Sequence, residues 1–242
     1  MSGAELRVFV ADDLRFFLAA RNRGASGVRV VVDGTSSLGH VVQSIGVPLT
    51  EVGALEVDGR AVADTYRPRG GERVRVREVT RPQRTEDARF VLDVHLGALA
   101  RRLRLVGLDT AYRNDMDDDA LVAQANAERR VLLTQDRGLL FRRSLWRGAF
   151  VRGARPDAQL ADVLDRFAPT LAPWTRCMGC NGGLEPVSKE AVVHLLKPGT
   201  RRTYDAFVRC RECGQVYWHG AHHGRLDAIV AFATQAGASW MC

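Results

Sequence analysis

The chain has 242 residues, 46% of them hydrophobic, so it is long enough for two or three small domains with real cores. No apolar run approaches the ~18 residues that span a bilayer, and the N-terminus MSGAELRVFV lacks a basic, then apolar, then small-residue leader, which places the protein in the cytoplasm with no membrane partner. The formal charge of +7 and the pI of about 9.6 favour an anionic partner; only Lys189 and Lys197 are lysines, so the basic groups are arginine forks that match phosphate oxygens, although a GC-rich codon bias produces arginine as well.

Residues 1–80 predict a domain of their own. ELRVFV, VRVVVDG, ALEVDGRAV and GERVRVREV read as strands, with Asp58-Gly59 a turn. GTSSLGHVVQSIGVP reads as a helix with Thr35 as N-cap, Gly46 at its end and Leu38, Val41, Val42 and Ile45 on one face. This order resembles a β-grasp, ubiquitin-like domain, most closely the small sulfur carriers. Those act through a free C-terminal Gly-Gly, whereas here Gly70-Gly71 precedes a strand, which argues against carrier chemistry. A docking module for a protein partner and a structural cap remain as readings. TRPQRTED, residues 80–87, reads as a linker.

From Arg89 strand and helix alternate over residues 81–172: RFVLDV, HLGALARRLRLVG, DTAYR, DDALVAQANAER and RVLLT, with AFVRG and DAQLADVLDRFA adding a further pair. Such alternation predicts a mostly parallel sheet covered by helices, with ligands beyond the carboxyl ends of the strands. Acids stand after three strands: Asp93, the NDMDDD run at 114–119, and Asp136. Carboxylates that converge there repel unless a cation lies among them, and Mg²⁺ or Mn²⁺ suits oxygen ligands and phosphodiester hydrolysis. Arg101, Arg104 and Arg137 stand near the same rim as candidate phosphate contacts. Other readings stay open: Asp117, Asp118 and Asp119 open a helix, where capping alone favours acids, and an arginine would satisfy Asp93 as well as a metal would.

FVLDVHLGALARRLRLVGLDTAYRNDMDD together with RRVLLTQDRGLL resembles the Mut-seven C-terminal RNase domain, a PIN-like nuclease fold that carries a zinc ribbon behind it and often a ubiquitin-like domain ahead. The resemblance implies metal-dependent RNA cleavage by Asp93, Asp118 and Asp136, with Asp115 as a candidate fourth. It rests also on the turn containing Arg104, Gly107 and Asp109. Gln135 departs from the pattern, standing where members of the family usually carry arginine.

Residues 173–242 read as a zinc ribbon. Cys177 with Cys180 and Cys210 with Cys213 form two C-x2-C pairs that fit tetrahedral Zn²⁺, a closed structural site. The 29 residues between the pairs add little closure entropy. Cys242 reads as a free thiol. Tyr204, Phe207, Tyr217, Trp218, His219, His222 and His223 interleave with Arg201, Arg202, Arg209, Arg211 and Arg225. Arg209, Arg211 and Trp218 are candidate RNA contacts, while the aromatics equally fit a small module's core. The sequence therefore predicts a multidomain α/β ribonuclease. The rival function is a non-catalytic RNA-binding or adaptor protein whose acids cap and pair; a glycosidase explains neither the basic charge nor the ribbon.

Overall fold

The computed structural model describes residues 4–83, 88–220 and 223–238. Cys242, His222 and the linker positions 84–87 lie outside them, as does the side chain of His223. The chain divides into two compact units, Met1–Arg81 with Asp136–Phe150, and Pro82–Gln135 with Val151–Cys242.

In the first unit, β1 (Ala4–Val10), β2 (Val28–Val32), α1 (Leu38–Ser44), β3 (Val52–Val57), β4 (Arg60–Val62) and β5 (Arg73–Glu78) follow the expected β-grasp sequence. The sheet order is β2-β1-β5-β3-β4, with β1 and β5 parallel and the other pairs antiparallel. Strict alternation decides the faces: Leu6, Val8, Val74 and Val76 are buried while Arg7, Arg73 and Arg75 are exposed. Leu38, Val41 and Val42 cover the buried face from α1.

The start of α1 differs from the sequence expectation. Its N-cap is Ser37, whose hydroxyl accepts from the His40 N–H. Thr35 instead lies in a turn built on Asp33, whose Oδ1 accepts the Thr35 and Ser36 N–H groups at 2.8 Å. Those bonds, Ser36 first, hold the Asp33 carboxyl far below the usual range. The Asp33 turn takes up the Thr35 backbone, and Ser37, two residues on, caps the helix. Gly46, at φ +103°, follows the end of α1 as expected. Between β1 and β2, 3-10 turns supply Leu14, Phe17 and Leu18 to the core, a contribution with no periodicity to announce it.

The second unit begins with β6 (Phe90–Leu92), α2 (Gly97–Leu105), β7 (Thr110–Tyr112), α3 (Asp118–Ala127) and β8 (Val131–Thr134). The three strands are parallel in the order β7-β6-β8, and β6 and β8 are buried at every position. Helix α2 starts two residues later than its sequence pattern suggests, because Val94–Leu96 form a 3-10 turn closed by the Tyr112 hydroxyl on the Val94 carbonyl. The next elements, α4 (Arg137–Leu140) and β9 (Gly148–Phe150), belong to the first unit, where Phe150 packs against Phe16 and Phe17 and its N–H meets the buried Glu51 carboxylate at 2.8 Å.

Returning to the second unit, α5 (Pro156–Phe167) turns Leu160, Val163, Leu164 and Phe167 into the core. Beyond it come β10 (Leu184–Val187), α6 (Lys189–Val192), α7 (Pro198–Thr203), β11 (Phe207–Cys210), β12 (Val216–Trp218) and α8 (His223–Ala238). Strands β10-β11-β12 form an antiparallel sheet over a small core of Val192, Leu196, Phe207 and Val216, and α8 lies against α5 and α2. No helix among the described residues is long and apolar enough to cross a membrane.

One position tests the β-grasp pairing directly. The β3–β5 register shifts at Gly53, where an added Cβ would lie 2.3 Å from the Glu78 carbonyl oxygen. Gly53→Ala is expected to lower stability by about 1–3 kcal/mol in a thermal or denaturant melt, and an unchanged midpoint would contradict that close approach.

Candidate active site and metal centre

Parallel register sets the first site. Leu92 stands opposite both Tyr112 and Leu133, so the carboxyl ends of β6, β7 and β8 are level. Asp93 is the next residue. The residue is only 5% exposed; its N–H donates to the Leu133 carbonyl at 3.1 Å, and its carboxylate accepts from the Thr134 hydroxyl at 2.7 Å. Among the described residues no arginine or lysine pairs with it. The sequence left an ion pair open as an explanation of this acid, and no such pair forms among the described residues. One hydroxyl compensates a buried carboxylate poorly, which leaves Asp93 open to a cation.

The other acids are more exposed. Asp115 is forked onto Arg113 by two 3.0 Å bonds, which hold its carboxyl below the usual range. Asp117 caps α3 by accepting the Ala120 N–H at 2.8 Å, so the capping reading belongs to it. Asp118 opens the helix, exposed and without an ion-pair partner among the described residues. Asp136 caps α4 by accepting the Gly138 N–H at 2.7 Å. It lies two residues along the chain from Thr134, which bounds the distance between their Cα atoms at about 7 Å. Asp93, Asp115 and Asp118 do not form a tight cluster of ligand atoms; among the described residues that distinction belongs to the cysteines.

The arginines divide sharply. Arg101 is exposed on α2. Arg104, expected at phosphate, is 3% exposed and spends its guanidinium on the carbonyls of Thr110, Met178 and Gly179, at 2.9, 3.2 and 2.6 Å. Arg137, the other expected phosphate contact, donates to the Phe16 and Phe17 carbonyls and lies over both rings. Gln135, at the position of the usual arginine, binds the Val151 and Gly153 carbonyls.

The second site is built from the cysteines. All four sulfur atoms lie within 4.8 Å of one another, with Cys177 and Cys213 at 3.7 Å and Cys180 and Cys210 at 3.4 Å. Sulfurs around a tetrahedral zinc with ~2.3 Å bonds stand ~3.8 Å apart, so the set fits that ion. Asn181 at φ +76° and Gly214 at φ +73° make the turns that follow each pair. The Tyr217 hydroxyl lies 3.0 Å from the Cys177 sulfur; although burial acts the other way, that bond and the N–H groups of Cys180 and Gly179 lower the thiol to about 6.

This knuckle is seated on the amino end of the parallel sheet. Arg104 holds the carbonyls of Met178 and Gly179, the Asn181 side chain accepts the Thr110 N–H at 2.9 Å, and its amide donates to Asp109 at 2.9 Å. Asp109 also binds Arg130 at 2.6 Å; burial opposes its charge, and Arg130 and Asn181 nevertheless keep its carboxyl below the usual range. Gly107, at φ +89°, completes the seat: its carbonyl accepts from Arg176, and a Cβ there would lie 2.0 Å from the Ala172 carbonyl oxygen. The Leu-Arg-x-x-Gly-x-Asp segment is therefore a platform for the knuckle. Sequence reasoning missed Asn181, Arg130 and Arg176 in this role, and the one available signal was an asparagine directly after C-x2-C.

On the ribbon sheet, Arg209 is exposed and Arg211 pairs with Glu185 at 2.7 Å. Trp218, 36% exposed, joins Trp174, Tyr217 and His219 around a largely apolar cleft of about 430 Å³.

Fold and sites together define a ribbon-bearing α/β protein with a β-grasp domain ahead. Residues 88–230 match the family described as the Mut7-C RNAse domain, and residues 1–84 match the Mut7-C ubiquitin domain. The chain belongs to the Mut7-C RNAse domain family. No curated protein and no solved structure matches it.

Purified protein is expected to carry about one zinc per chain, measured by elemental analysis, and Cys210→Ser to lose it. Asp109→Ala removes the carboxylate that Arg130 and Asn181 share and is expected to cost about 1–3 kcal/mol while the zinc content stays. Zinc lost together with stability in Asp109→Ala would contradict the separation of seat from ligands.

Proposed function

We propose that this chain is a metal-dependent ribonuclease with a PIN-like catalytic domain, cutting RNA at the carboxyl end of β6, β7 and β8. Membership of the Mut7-C RNAse domain family supports nuclease activity. The observation that carries the site is Asp93, a buried carboxylate compensated by a single hydroxyl and by no cationic side chain among the described residues. Asp93, Asp118 and Asp136 would hold Mg²⁺ or Mn²⁺, and Asp115 would join them on releasing Arg113. When bound, such an ion supplies an activated water and neutralises the charge that builds on the phosphodiester.

The chain's own residues do the rest. Thr134 fixes one oxygen of Asp93 and leaves the other to a ligand. Arg101, with its guanidinium in solvent, is the rim arginine able to take a neighbouring phosphate, since Arg104 and Arg137 are committed to carbonyls. On the ribbon, Arg209, Arg211 and Trp218 would engage RNA beside the aromatic cleft, and the four thiolates would close around a structural zinc that takes no part in cleavage. A cytoplasmic setting suits both reduced thiolates and an RNA substrate.

The capping by Asp117 and Asp136 and the Arg113–Asp115 pair favour the rival reading, a non-catalytic RNA-binding or adaptor protein. Cleavage of single-stranded and structured RNA with Mg²⁺, Mn²⁺ or EDTA separates the two. Asp93→Asn is expected to slow cleavage by more than about a hundredfold, and Thr134→Val by about 10- to 100-fold as a ligand's partner, with RNA binding retained. Parent protein that binds RNA and never cuts it with either ion would establish the adaptor.

A further inference from the structure

The alternation that buries one face of the β-grasp sheet turns a row of arginines outward. Arg7 of β1 stands opposite Arg29 of β2 on one side and Arg73 of β5 on the other, and Arg75 stands opposite Phe9 and Glu56. With strands ~4.8 Å apart, Arg29, Arg7 and Arg73 cross three strands within about 10 Å. Like charges placed directly opposite one another destabilise a sheet. The arrangement is costly unless something anionic uses it.

The carboxylates on this face do not cancel it. Glu5 pairs with Arg29 at 3.4 Å and Glu56 with Arg77 at 3.1 Å. Arg7 reaches the Ser26 hydroxyl at 3.3 Å and lies over the Phe9 ring. Asp58 accepts the backbone N–H of Arg73 at 3.1 Å. The exposed guanidiniums of Arg73 and Arg75 have no hydrogen-bond or ion-pair partner among the described residues, and with Phe9, Asp58 and Gly59 they line a hollow of about 540 Å³.

We propose that this face binds the sugar-phosphate backbone of RNA, a second nucleic-acid contact distinct from the carboxylate site. Guanidinium forks match phosphate oxygens two at a time. The half-buried Phe9 lines the same hollow, an apolar surface beside the guanidiniums. A protein partner would look for a buried aromatic or aliphatic centre, and this face presents only Phe9 and the single exposed Val31. The inference does not depend on cleavage: RNA that is bound and never cut would overturn the nuclease reading and leave this one standing.

The test uses full-length Asp93→Asn protein, which keeps RNA intact, and a labelled oligouridylate of about 20 nucleotides, followed by fluorescence anisotropy from about 50 to 200 mM KCl. Arg73→Gln with Arg75→Gln is expected to weaken binding about tenfold at low salt and to flatten the slope of log K against log salt by about 1.4, two phosphate contacts at ~0.7 each. The melting temperature should hold, because Arg73 faces a like charge on Arg7 and neither substituted side chain has a hydrogen-bond or ion-pair partner among the described residues. Should the double variant fold poorly, Glu56→Gln serves instead: it frees Arg77 and is expected to tighten binding about twofold to threefold. Unchanged affinity and slope in the glutamines, or no tightening in Glu56→Gln, overturns the proposal. Loss of binding to polyglutamate alone, with RNA affinity intact, overturns it in favour of an acidic protein partner.

Discussion

A carboxylate buried at the end of a fully buried strand, with one hydroxyl for company, is the constraint around which this protein is organised. Asp93 sits where the parallel register levels three strand ends, and Thr134 on the neighbouring strand meets it. Among the described residues one hydroxyl donates to it and no guanidinium pairs with it, an arrangement that a cation would complete.

The same sheet has a second end, and it is used differently. At the amino end of β7 the C-x2-C knuckle is clamped by Arg104, Thr110 and Asp109 through Asn181 and two carbonyls. Asp93 and the thiolate cluster therefore stand toward opposite ends of the parallel sheet, one a hard oxygen donor and the other a set of soft sulfur donors. Their chemistries are separate. Arg104 and Asp109 bridge the two, with hydrogen-bonding partners from both the parallel sheet and the ribbon.

Strand and helix positions were legible in the sequence wherever one face is buried, because alternation of two and spacing of three or four are local signals. The cysteines were legible for the same reason: the ligand type and its spacing are the chemistry. Asp93 was legible as an anomaly, a charge after Phe-Val-Leu. What escaped was the reach of long side chains. Arg104 stands in the last turn of α2, toward the amino end of the strands and away from the acid-bearing end, and its guanidinium reaches carbonyls more than seventy residues away in sequence, partners that no local pattern announces. Arg137 is a second case, diverted to the carbonyls of Phe16 and Phe17 in a segment without periodicity. Asn181 escaped because its role needs both a left-handed backbone and a partner strand far away.

The most direct measurement is a titration of zinc-loaded, isotope-labelled protein with Mn²⁺, read as paramagnetic broadening of backbone amide signals. Substoichiometric Mn²⁺ should broaden Leu92, Asp93 and Thr134 together with Asp118 and Asp136, and Asp93→Asn should abolish the effect. Broadening confined to the solvent-facing acids, with Asp93 and Thr134 untouched, would contradict the account.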